Sequence, residues 1–184
     1  IESCAAIEKA GAHRIELCAN PAEGGTTASY GMIKTARQLT QINLFPIIRP
    51  RGGDFLYSNV EFDTMKEDIL LCKKTGCDGV VSGLLKKDGT IDKDRTSLLV
   101  SLAYPMEFTF HRAFDRVIDM EQALSDVIHC GCTRILTSGL YPTAIEGIDN
   151  IKKLVTLADN RITIMPGSGI RANNIATIIQ QTGA

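Results

Sequence analysis

His111, Arg112 and Asp115 fall within five residues of one another in the stretch FTFHRAFD. An imidazole changes charge near neutral pH, and a guanidinium grips carboxylate or phosphate through paired hydrogen bonds. A neighbouring carboxylate can orient the imidazole for proton transfer. Similar groups close other β-rich runs: Glu16 and Cys18 in RIELCAN, Arg49, Arg51 and Asp54 in RPRGGDF, and Met165 before the turn Gly167, Ser168, Gly169 in MPGSGI. Glu16, His111 and Asp115 are the candidate catalytic residues for moving a proton. Arg49, Arg51, Asp54, Arg112, Gly167, Ser168 and Gly169 are the candidate ligand-binding residues for a phosphorylated or carboxylated metabolite. Any one of these can instead be a strand end meeting water, and His111 can equally be a satisfied structural histidine. For the whole set the solvent reading is weaker, because inward Arg and Glu side chains need partners or a ligand.

The elements that must position these residues repeat. Six β-rich runs start at positions 14, 43, 78, 106, 133 and 161, which are 29, 35, 28, 27 and 28 residues apart. Between them lie helical patterns such as FDTMKEDILLCKKTG, DMEQALSDVIHCG and AIEGIDNIKKLVTLAD, with apolar residues three and four apart and two closing glycines. Strands alternating with such helices predict βα units and a parallel sheet. At roughly 30 residues per unit the pattern predicts an α/β fold of the TIM (β/α)8-barrel type, as a single domain over 1–184. Six strands and seven helices are visible, so a first strand is expected before Ile1 and a last one after Ala184.

In such barrels the chemistry sits at the C-terminal ends of the strands. Alternation puts Phe108, Phe110 and Arg112 on one side of their strand and Glu107, Thr109 and His111 on the other, so His111 is expected to face the interior. By the same test Glu16 and Cys18 oppose Ile15 and Leu17. The Gly-Ser-Gly turn before the last helical pattern predicts an anion site built from backbone N–H groups. The loop NPAEGGTTASYG, 20–31, has the length of a lid, and Ser29 is expected to cap the helix YGMIKTARQL.

Composition excludes several classes. Among 184 residues, 20 are basic and 21 acidic, giving a formal net charge of −1, so neither nucleic acid nor a membrane surface is an expected partner. No window approaches 18 consecutive apolar residues, so no membrane span is predicted. Without GxGxxG or GxxxxGK[ST], no nucleotide cofactor is expected. Six scattered cysteines, at 4, 18, 72, 77, 130 and 132, read as reduced thiols of a cytoplasmic protein. The chain opens inside a helical pattern, so no signal peptide is visible. A barrel with uncovered edges is expected to form a homo-oligomer.

RIELCAN-AEGGTT-SYG, IIRPRGGDFLYS, DGVVSGLL-DGTID, FTFHRAFD, RILTSG and IMPGSGI-NN follow one another in an order and spacing that resembles the CutC copper-homeostasis family. The likeness covers nearly the whole chain, with Pro21 and Ala28 as minor departures in the loop. It implies a cytoplasmic TIM barrel that binds copper, with a further cysteine in a strand before Ile1. Cu(I) takes two or three soft donors. The resemblance makes Cys18 the leading metal ligand, with Met165 a second sulfur and His111 a possible nitrogen donor. The run HCGC at 129–132 has no standard metal spacing, and Cys72, Cys77, Cys130 and Cys132 fit helix or strand-start positions away from the mouth. Two readings therefore stand side by side: a Cu(I)-binding protein, and a barrel enzyme acting on a small anionic metabolite.

Overall fold

The computed structural model describes all of residues 1–184. Six strands alternate with seven helices: α1 Glu2–Lys9, β1 Arg14–Leu17, α2 Tyr30–Leu39, β2 Asn43–Pro46, α3 Asn59–Thr75, β3 Gly79–Ser82, α4 Lys93–Ala103, β4 Glu107–Phe110, α5 Met120–His129, β5 Arg134–Thr137, α6 Ile148–Ala158, β6 Thr163–Pro166 and α7 Ile175–Thr182. Every expected strand is present but shorter than its β-rich run. No helix is long and apolar enough to cross a membrane. The chain divides into two compact units, Ile1–Ser82 with Leu98–Phe108, and Gly83–Ser97 with Thr109–Ala184.

In the first unit β1 and β2 pair parallel, with Ile15 opposite Leu44 and Glu16 opposite Phe45. Ile47, just past β2, makes a parallel bridge to Val81. Burial alternates along β1, where Ile15 and Leu17 are buried and Arg14 and Glu16 are not, as a pleated strand requires. All four residues of β3 are buried, the mark of a strand covered on both faces. The Arg14 guanidinium lies 4.0 Å from the centroid of the Phe45 ring. Gly79 lies hard against that ring, because a Cβ there would fall 2.1 Å from Phe45 Cε1.

The helices of this unit begin and end on local signals. Ser29 Oγ accepts the Met32 N–H at 3.2 Å and so caps α2, as expected. At α3 the Ser58 hydroxyl accepts the Glu61 N–H at 3.2 Å while the Glu61 carboxylate accepts the Ser58 N–H at 2.7 Å, a reciprocal capping box. Three helices close alike, on left-handed Gly11, Gly76 and Gly131. In each, the residue after the glycine donates its N–H five residues back: Ala12 to Ile7 at 3.3 Å, Cys77 to Cys72 at 3.1 Å and Cys132 to Val127 at 3.3 Å. That bond pattern defines the Schellman ending.

In the second unit β4, β5 and β6 run parallel, with Phe110 opposite Ile135 and Leu136 opposite Met165. Its core includes Phe110, Phe114, Val127, Ile135, Ile151 and Leu154, all buried. The β5 end folds closely onto the start of α6. A Cβ at Gly147 would lie 1.9 Å from the Ser138 carbonyl oxygen, so only glycine fits there.

Candidate functional site

Arg49 follows β2 and is only 4% exposed. Its Nη1 donates to the carbonyls of Glu23 at 2.7 Å and Gly25 at 3.0 Å, and its Nη2 donates to Gly53 at 2.8 Å. The Phe55 ring centroid lies 4.8 Å from the guanidinium carbon. Burial pushes the Tyr57 phenol up to about 12, although the Arg49 charge pulls it down. Arg49 Nε is buried without a hydrogen-bond partner. Carbonyl dipoles and the Phe55 ring thus hold this cation, with no carboxylate against it. An anion would complete such a cage.

Arg51 is differently placed, although it sits two residues on. Its Nε donates to Glu61 at 2.5 Å and its Nη2 to Asp54 at 2.9 Å and to the Leu56 carbonyl at 2.9 Å. The Arg51 hydrogen bond holds the Asp54 carboxyl below its usual range. Glu61 is held low by the Ser58 N–H and then by Arg51. Arg51 and Asp54 therefore neutralise one another and brace the RGGDF loop against α3.

Cys18 lies just past β1, partly buried against Phe45, Ile47 and Val81. Gly25, at φ +89°, sits over it; a Cβ there would be 3.3 Å from Cys18 Sγ and 3.0 Å from Ile47 Cδ1. Burial pushes the Cys18 thiol up, and the neighbouring Glu16 charge adds to the shift. The group is a protonated thiol at neutral pH, and a metal would have to displace that proton. The other five cysteines are buried. In the HCGC run, Cys130 donates its S–H to the Lys93 carbonyl at 3.6 Å, and burial pushes the Cys132 thiol well up.

In the second unit His111 is 6% exposed and stands at the end of β4. Its Nδ1 accepts the Ala113 N–H at 3.2 Å, which leaves the proton of the neutral ring on Nε2. Gly83 makes room for the ring, since a Cβ there would fall 2.6 Å from Nδ1. The Ala113 amide and Gly83 thus fix this ring in place. Asp115 is turned elsewhere: it accepts Arg112 Nε at 2.7 Å, the Thr137 hydroxyl at 2.5 Å, and the Ser138 and Leu140 amides at 3.0 and 3.2 Å. Arg112 Nη2 also donates to the Ser138 hydroxyl at 2.8 Å. Arg112 and Asp115 tie the end of β4 to the end of β5.

The Gly-Ser-Gly turn follows β6. Ser168 is left-handed at φ +73°, its hydroxyl donates to the Pro142 carbonyl at 2.8 Å, and its carbonyl accepts the Ala144 N–H at 3.0 Å. The Gly167 N–H donates to the Thr137 carbonyl at 2.8 Å. The turn does not open directly onto a helix, as the sequence reading expected, because α7 begins at Ile175. Between them Asn174 accepts the Arg171 N–H at 2.7 Å and donates to the Gly169 carbonyl at 2.9 Å, which closes an intervening turn. Met165 stands on β6, partly exposed.

Six parallel strands alternating with seven helices, with polar side chains gathered where strands end, define an α/β chain of the TIM-barrel type. A deoxyribose-phosphate aldolase from Coccidioides immitis shares that fold with a TM-score of 0.74 at 15% identity, over 98% of this chain and 70% of that one. Across residues 1–184 the sequence matches the model of the CutC family. It is 51% identical to a CutC family protein of Chromobacterium violaceum, over the whole of this chain and 74% of the relative. It is 47% identical to the human copper homeostasis protein cutC homolog, over the whole of this chain and 67% of the relative. The crystal structure of a copper homeostasis protein CutC from Streptococcus agalactiae superposes with a TM-score of 0.89 at 40% identity, covering 93% and 85% of the two chains. The chain belongs to the CutC family.

Proposed function

We propose that the protein acts in copper homeostasis by binding Cu(I), with Cys18 as the principal ligand. Membership of a family whose human and mouse members are named copper homeostasis proteins supports this reading. The placement of Cys18 carries it to a residue: of the six thiols this one is partly exposed, and the other five are buried. A thiol is a soft donor that selects Cu(I) over hard cations. Copper here is cargo, carried in the cytoplasm, and no redox step is assigned to it.

Titration of the reduced protein with Cu(I) against a calibrated chelator tests the assignment. Cys18→Ala is expected to bind one tightly held equivalent fewer than wild type. Binding indifferent to Cys18 would sink the assignment.

The Arg49 cage favours a second reading, in which the protein binds a small phosphorylated or carboxylated metabolite. Arg49 would hold the anion, and Glu16 would transfer a proton. Inorganic phosphate at millimolar concentration is then expected to raise the melting temperature of wild type but not of Arg49→Lys, which lacks the planar fork. If neither phosphate nor a dicarboxylate shifts wild type, this second reading falls.

A further inference from the structure

Cys72 and Cys77 sit where the end of α3 forces two side chains together. In a Schellman ending, the residue four before the left-handed glycine and the residue after it make a side-chain contact. Gly76 ends α3 in this way, at φ +78°, with the Cys77 N–H on the Cys72 carbonyl at 3.1 Å and its own N–H on the Lys73 carbonyl at 3.2 Å. The same device ends α1 and α5, where the paired positions hold Ile7 with Ala12 and Val127 with Cys132. Those two ends each place a hydrocarbon against its neighbour. The end of α3 places a thiol against a thiol.

The helix end sets the two thiols side by side, and each perturbs the other: Cys77 pushes the Cys72 thiol up, and Cys72 draws the Cys77 thiol down. Cys72 is fully buried and Cys77 is 7% exposed. Charges of both signs are close by: Arg37, paired with Asp78 at 2.7 Å, draws the Cys77 thiol down, while Asp78 pushes it up and Asp68 pushes up Cys72. Arg37 also lines an open groove of about 430 Å³ with Tyr30, Lys34, Gln38 and Lys74. The groove brings solvent to the residue whose charge faces the thiol pair.

We propose that Cys72 and Cys77 form a bis-thiolate site for a soft monovalent d10 cation, Cu(I) or Ag(I). Two thiolates are a donor set that selects such an ion. Binding of M⁺ releases both thiol protons to solvent and leaves a singly negative bis-thiolate complex. No oxidation takes place. The site shares its ion with the reading above but not its residue, so the two can fail separately.

The experiment is a Cu(I) titration of the reduced full-length chain in a Cys18→Ala background, with and without Cys72→Val. Valine reproduces the pairing found at Val127 and Cys132, so packing at the helix end is kept. One tightly held equivalent is expected to survive Cys18→Ala and to vanish when Cys72→Val is added, with circular dichroism unchanged. Equal uptake by the two variants would overturn the proposal. Should the double variant fail to fold, wild-type crystals soaked with Ag(I) decide instead. Anomalous density between the Cys72 and Cys77 sulfurs is expected, and its absence overturns the site.

Discussion

Asp115→Ala is expected to lower the stability of the protein by about 3 kcal/mol, the lower end for breaking a buried ion pair. The Asp115 side chain is 5% exposed and that of its partner Arg112 is 40% exposed, so the freed guanidinium can turn to water. The other donors cannot. The Thr137 hydroxyl and the Ser138 and Leu140 amides converge on one carboxylate at the end of β5, and all three lose their acceptor together. For a chain of this size the melting temperature should fall by roughly 6–12 °C. Asp115→Asn is the sharper test, because its amide nitrogen must face a donor. A fall close to that of the alanine variant is expected, and an asparagine variant as stable as wild type would refute the account.

Gly79→Ala should cost about as much, roughly 3 kcal/mol, by overpacking rather than by loss of a bond. The new methyl would stand 2.1 Å from Phe45 Cε1 and 2.5 Å from Cδ1, and Phe45 is 1% exposed. The ring has nowhere to go without giving up its stack with Arg14 at 4.0 Å. Denaturant unfolding of Gly79→Ala, Phe45→Leu and the double variant measures the clash as a coupling energy. The smaller leucine is expected to recover much of the loss in the double variant. Strict additivity of the two single effects would show that the clash is not the cause.

The fold was legible because βα units repeat at nearly constant spacing and each helix carries its own stop and start signals. The α2 helix has the bounds that its Ser29 cap predicts, Tyr30–Leu39. Strand ends were less legible, because a β-rich composition continues after the ladder stops. RIELCA leaves β1 at Leu17, and Ala19 turns back to pair antiparallel with Thr26. IMPGSG leaves β6 at Pro166, and left-handed Ser168 follows.

Alternation placed Glu16 correctly relative to buried Ile15 and Leu17, since a pleat has only two faces. Long-range partners lay beyond that rule. Arg49 and Arg51 look equivalent in RPRGGDF, yet one enters a cage of carbonyls and the other meets Glu61 on α3. Asp115 stands four residues from His111, yet it serves β5 instead. The contact of Cys72 with Cys77 was readable in the spacing CKKTGC, once the glycine is taken as a left-handed helix end. Treating each thiol by its own element, helix core or strand start, conceals the pair.

The loop at 20–29 is no flap. Arg49 pins it twice over, by its guanidinium on the Glu23 and Gly25 carbonyls and by its main chain, which exchanges hydrogen bonds with Thr27 at 2.9 Å in each direction. The conformational entropy of this segment was given up during folding. A molecule arriving at the Arg49 cage would meet a wall already standing and would lose no affinity to ordering it. Capture there would run at the pace of diffusion and shedding water, with no closing step to wait for.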